Sequence, residues 1–138
     1  MSRTRVFLLV CVAVGAFACD KPTEVVPLPP PSLSQPGRVT VNLRGPNSDD
    51  GAIIIEVRGG SVDSAAVHFP TYWLLSERGD SGVTRFVVAG DLTSGPLFTF
   101  IVPDIQQYSS FRATVSEVAT RKGVVRTTLN GYALTITR

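Results

Sequence analysis

Cysteine, histidine, methionine and tryptophan are nearly absent from this 138-residue chain, which has two Cys, one His, one Met and one Trp. A zinc site needs three or four ligands, so this scarcity excludes most metal centres. It likewise excludes a Cys–His catalytic pair and a disulfide framework. Charge is also sparse. Only 17% of residues are charged while 43% are hydrophobic, so the chain is neither disordered nor strongly polar. No basic cluster exists beyond Arg121-Lys122, and the electrostatic footprint of a nucleic-acid partner is missing. G-x-S-x-G, P-loop and G-x-G-x-x-G patterns are missing as well, which removes the usual signatures of acyl and phosphoryl chemistry.

What is present begins with an export pattern. Met1 to Arg5 form a short basic segment, and Val6 to Phe17 an uncharged apolar run of 12 residues. A membrane-spanning helix needs about 20 apolar residues, so 12 fit the core of a signal peptide better. The run ends in Ala16-Phe17-Ala18-Cys19. Ala16-x-Ala18 is a small-x-small cleavage pattern. With Cys19 added, it resembles the lipobox of bacterial lipoproteins, although Ala16 replaces the usual leucine and Phe17 is bulky.

That resemblance implies that residues 1–18 are removed and that Cys19 is lipidated and becomes the first residue. It implies an exported protein held at the inner or outer membrane of a cell envelope, with the membrane as partner through Cys19. Asp20 resembles an inner-membrane retention signal. Acyl chains hold because each buried methylene contributes about 0.8 kcal/mol. Removing Arg3 and Arg5 from the 13 cations leaves them equal to the 11 anions, so the remaining body is neutral. The alternative is a plain secreted protein with a stray thiol at Cys19.

Residues 19–37 carry the lipid site and then a tether. Six of the ten prolines lie here: Pro22, Pro27, Pro29, Pro30, Pro31 and Pro36. Proline fixes φ and lacks an N–H, which favours polyproline II over sheet or helix. At about 3.1 Å per residue, Asp20 to Gly37 spans at most about 55 Å.

From Arg38 to Arg138, short β-branched runs alternate with Gly, Pro, Asn, Asp and Ser turns, which predicts an all-β domain. Strands are expected near 39–43, 52–57, 65–69, 72–76, 83–89, 97–102, 111–119, 124–127 and 132–137. Eight or nine strands in about 100 residues fit an antiparallel two-sheet sandwich, immunoglobulin-like in its layering. Ala52 to Val57 is apolar on nearly both faces and should be a central strand, and Leu97 to Val102 is a second nearly continuous apolar run. Ile105 to Ser110 is the one place for a short helical turn. The expected core is Val41, Ile53, Ile55, Val57, Phe86, Val88, Phe98, Phe100, Val102, Val115, Leu134 and Ile136. The segments GAIIIEVRGG, GPLFTF and TVSEVA, in that order, resemble cohesin-like domains of secreted bacterial proteins. The resemblance implies a fold and carries no contact residue over.

The search for chemistry finds little. His68 stands alone and suits a structural or solvent-facing role. Asn47, Asp49 and Asp50 offer oxygens to Ca²⁺, but the turn is too short for an EF-hand and lacks its closing Glu. Glu56, Glu77, Glu117, Asp63 and Asp91 show no spacing that selects a glycosidase pair. Arg78-Gly79-Asp80 matches the integrin tripeptide and reads as a polar turn. Tyr72, Trp73 and Tyr108 are the aromatics least committed to a core stripe and are the candidate ligand-binding residues. Adjacent strand residues face opposite sides, and Trp73 is expected to be the buried member of its pair with Tyr72. The expectation is a lipoprotein presenting a small non-catalytic sandwich for protein binding or structural interaction, with no cofactor. The alternative is a carbohydrate-binding module of an exported glycan-handling system.

Overall fold

The computed structural model describes residues 31–45 and 47–138. The export pattern, Cys19 and most of the proline run lie outside them. Ser32–Arg138 forms one compact unit. Its eight strands are β1 (Gly37–Arg44), β2 (Asp50–Arg58), β3 (Ala65–Val67), β4 (Trp73–Arg78), β5 (Thr84–Ala89), β6 (Gly95–Val102), β7 (Arg112–Thr120) and β8 (Ala133–Thr137).

They form two antiparallel four-stranded sheets, β3-β6-β1-β8 and β4-β5-β2-β7. The chain is an all-β two-sheet sandwich. It changes sheet at every connection except β4 to β5, the one hairpin. The pairs β1·β8, β2·β7, β3·β6 and β4·β5 are those of one long hairpin rolled over itself. β2 and β6 are central, as their two-faced apolar runs require.

The core follows the two-residue period. Val39, Val41 and Leu43 of β1 and Ile53, Ile55 and Val57 of β2 point inward from opposite sheets. Phe86, Phe98 and Phe100 are buried between the sheets, with Phe86 and Phe98 centroids 4.6 Å apart. Phe111 joins them, 5.7 Å from Phe100. Full burial of each such side chain contributes about 1.5–3 kcal/mol. This core is complete within residues 39–118, so the sandwich carries its own means of folding.

Nine of the expected core residues are buried; Val115, Leu134 and Ile136 are only half-buried. They lie on β7 and β8, edge strands whose inward faces are covered from one side only. Ile105–Ser110 is a 3-10 helix, capped by the Asp104 carboxylate accepting from Gln106 N–H. Its start is tied back to the end of the proline run, where Ile105 N–H donates to the Gln35 carbonyl. Gly59 ends β2 at φ +118°, and a Cβ there would lie 2.4 Å from the Ser110 carbonyl oxygen. Only glycine lets the chain leave β2 beside that helix.

One expected strand is not formed. Residues 124–127 make a single bridge, Ala119 to Val125, and then turn away. Asn130-Gly131 therefore does not join two strands of a hairpin. The Arg126 N–H still donates to the Val118 carbonyl of β7, while its side chain meets Asp49 and Asp50 at the start of β2.

Candidate functional site

Two regions outside the core carry unusual side chains. The first is the outer face of the sheet containing β4. Register places Leu74 opposite the buried Val88, which sends Leu74 inward and both Trp73 and Leu75 outward. Trp73 is 80% exposed and Leu75 68%. Trp73 lies opposite Ala89, which pairs with Ala52, which pairs with Ala119. Leu75 lies opposite Val87, and Val87 opposite Ile54. An apolar stripe thus crosses the sheet, floored by alanines at its Trp73 end. The row beyond it is charged. There Glu56 accepts from Arg58 (3.1 Å) and Arg85 (3.3 Å), and these hydrogen bonds hold its carboxyl below the ordinary range.

Trp73 overturns the expectation that it belongs to the core. Tyr72 is the buried member of the pair, at 6% exposure. Its N–H donates to the Phe69 carbonyl at 3.0 Å, and its hydroxyl lies 3.4 Å from Thr93 Oγ1. Tyr72 and Leu74 share a parity, and β5 fixes that parity as inward. Tyr108 is half-buried in the 3-10 helix, which packs on β1 and β8, and the Arg138 guanidinium sits 5.2 Å from its ring centroid. β4 and β8 occupy opposite lateral sides of the sandwich. The three aromatics therefore do not form one platform, and only Trp73 presents an open ring.

The second region is a polar knot at the start of β2. Asp50 is 2% exposed, yet charged groups surround it. Arg126 Nε donates to Asp50 Oδ1 at 2.7 Å, and Tyr132 Oη donates to Oδ2 at 2.6 Å. Asn47 Nδ2 donates to Tyr132 Oη at 2.9 Å, and Arg126 also pairs with Asp49. The hydrogen bond to Asp50 raises the Arg126 pKa. Burial, and then the Asp50 carboxylate, push the Tyr132 phenol up. The acidic turn that offers oxygens to Ca²⁺ by sequence thus has the carboxylates of Asp49 and Asp50 on a guanidinium. Beside it, Asn47, Thr120, Val124, Val125, Arg126 and neighbouring residues line an open groove of about 490 Å³. Among the described residues, no three His, Cys, Asp or Glu lie together to hold a metal ion.

The remaining candidates are dispersed. His68 is exposed, edge-on to Phe69 at 4.8 Å. The Arg78 guanidinium of the Arg-Gly-Asp tripeptide donates to the Val62 carbonyl at 2.8 Å. Asp91 pairs with Arg121 at 2.9 Å. Leu75 carries no signal of its own in the sequence, because Tyr72-Trp73-Leu74-Leu75 is apolar on both faces. No helix among the described residues is long and apolar enough to cross a membrane. Comparisons of this chain with protein-family models, curated proteins and solved structures return no match.

Proposed function

We propose that this chain is an exported, lipid-anchored protein of the bacterial cell envelope. Cys19 carries the lipid, the proline-rich run holds the domain off the membrane, and the sandwich acts without catalysis as a protein-binding or structural module. The observation that carries the binding part is Trp73, four-fifths exposed beside Leu75 on an edge strand. A ring of that size left in water costs free energy that contact with a partner recovers, and tryptophans of this kind dominate interface energetics. The Ala16-Phe17-Ala18-Cys19 pattern supports the anchoring part.

Labelled palmitate tests the anchor. Wild type should incorporate it and Cys19→Ser should not; equal labelling of the two would defeat the anchor. The second reading, a carbohydrate-binding module, draws on the same open ring, since flat aromatic faces stack on sugars. It expects Trp73 emission to shift with a polysaccharide, and silence across a broad glycan panel removes it.

A further inference from the structure

Strand β4 is an edge whose backbone is open over a short, defined stretch. In the β4·β5 ladder, Gly79 N–H donates to the Val83 carbonyl at 2.8 Å. The register continues from there without a bulge. Hydrogen-bonded pairs alternate in an antiparallel ladder. Trp73, Leu75 and Glu77 therefore turn their N–H and C=O groups toward β5, while Leu74, Ser76 and Arg78 turn theirs to the open side. Just before β4, the Tyr72 N–H is taken by Phe69. At its far end the Arg78 side chain crosses to the Val62 carbonyl. The accessible donors and acceptors are those of Leu74 and Ser76.

The other edges are guarded. β3 has three residues, β7 is bulged against β2 and bridged by Val125, and β8 is flanked by the 3-10 helix. Short length, bulges and covering elements are the usual protections of a sheet edge. β4 is neither short nor bulged and holds neither proline nor lysine, and β3, which runs close to it, belongs to the other sheet and is not paired with it.

We propose that β4 pairs with β4 of a second copy of this chain, antiparallel about a two-fold axis through Leu75. This deepens the reading of the Trp73 face as the docking surface by naming its occupant. That axis sets Leu74 opposite Ser76 of the second copy, and Ser76 opposite its Leu74. Each pair exchanges two hydrogen bonds, which uses every accessible group of the stretch. The two Leu75 side chains then meet at a closely spaced, non-hydrogen-bonded position. Trp73 of each copy falls beside Glu77 of the other.

Geometry selects the antiparallel sense. Parallel pairing of the two open edges would turn one copy's sheet over and put its Trp73 face on the opposite side, whereas the antiparallel register keeps both outer faces on one side and separates the two Glu77 by four residues, about 13 Å. The apolar stripes of the two copies become continuous across an eight-stranded sheet. Pairing over so short an edge falls in the small-interface class, under about 1,200 Å² in total, so the dimer is weak and concentration-dependent.

Sedimentation equilibrium of residues 32–138, whose core is complete, tests this over about 10 µM to 1 mM. The wild-type mass should climb toward twice the monomer's, with a concentration-dependent blue shift of Trp73 emission. Leu75→Lys and Ser76→Pro should stay monomeric and keep the wild-type melting temperature. The proline replaces only an N–H that faces away from β5. A wild type that stays monomeric throughout overturns the proposal. So does a Ser76→Pro variant that folds and dimerises as wild type, because association would then not use the strand edge. Should Ser76→Pro fail to fold, Leu75→Lys decides alone, and dimerisation undiminished in it overturns the pairing. Palmitate labelling at Cys19 and glycan-induced shifts are separate readouts, so the broader functional reading stands or falls independently.

Discussion

Asp50→Ala is the sharpest test of how the end of the sandwich is held. The carboxylate is 2% exposed and accepts from Arg126 at 2.7 Å and Tyr132 at 2.6 Å. These donors lie 76 and 82 residues away in the chain, so the knot ties the 121–132 segment to β2. Removing one partner of a buried ion pair costs about 3–5 kcal/mol, mostly because the other is left buried without compensation. The Arg126 side chain keeps 20% exposure and its pair with Asp49, so both recover part of that, and the expected loss is about 3 kcal/mol. A domain of this size has about 5–15 kcal/mol in all. At about 4 °C per kcal/mol or more, its melting midpoint should fall by at least about 12 °C. Urea denaturation of residues 32–138, followed by far-UV circular dichroism, measures the loss; Trp73 is too exposed to report folding. Tyr132→Phe should cost less, about 1 kcal/mol. In the Asp50→Ala background that cost should largely vanish, because the hydroxyl has already lost its acceptor. A loss below about 0.5 kcal/mol, the range of ordinary surface substitutions, would refute the idea that this carboxylate anchors the segment.

Three further outcomes follow from the packing. The Tyr132 pKa is raised on folding above its ordinary 10.0, so the unfolded phenol ionises first. Stability should therefore hold below pH 10 and fall as pH climbs past it; a Tyr132→Phe variant with the same alkaline loss would count against this. Phe98→Ala removes a ring buried 4.6 Å from Phe86 and should cost about 3–5 kcal/mol in urea denaturation, whereas less than about 1.5 would mean the core collapses around the gap. Gly59→Ala should destabilise more than Gly82→Ala. Both have positive φ, but the first Cβ meets the Ser110 carbonyl at 2.4 Å and the second meets nothing within 4 Å. Equal thermal midpoints for the two would show that the turn after β2 can shift.

Much of the fold was legible because its signals are local. Alternation in Val39-Thr40-Val41-Asn42-Leu43 and the unbroken Ile53-Ile54-Ile55 run report burial on one face or two without reference to any partner. The 3-10 turn at Ile105–Ser110 was legible from Asp104 before it and Phe111 after it. The candidate site was less so. Tyr72-Trp73-Leu74-Leu75 is apolar on both faces, so periodicity could not say which face is inward. Trp73 is the member expected inside from sequence; the pairing of Leu74 with Val88 decided for Tyr72. Asp50 read as ordinary turn chemistry because neither Arg126 nor Tyr132 is near it in the chain. Residues 124–127 have strand composition but keep only one bridge to β7, and the partner of Arg126 is Asp50, distant in the chain.

The residues themselves determined the β class, the approximate strand positions and the central place of β2, since a two-residue period or an unbroken apolar run is written into each segment separately. Tertiary structure alone decided absolute orientation: which side of β4 meets the core, which edge is left open, and which turn carboxylate becomes a buried anchor. A period fixes which residues share a face, but only the neighbouring strand fixes which face turns away from water.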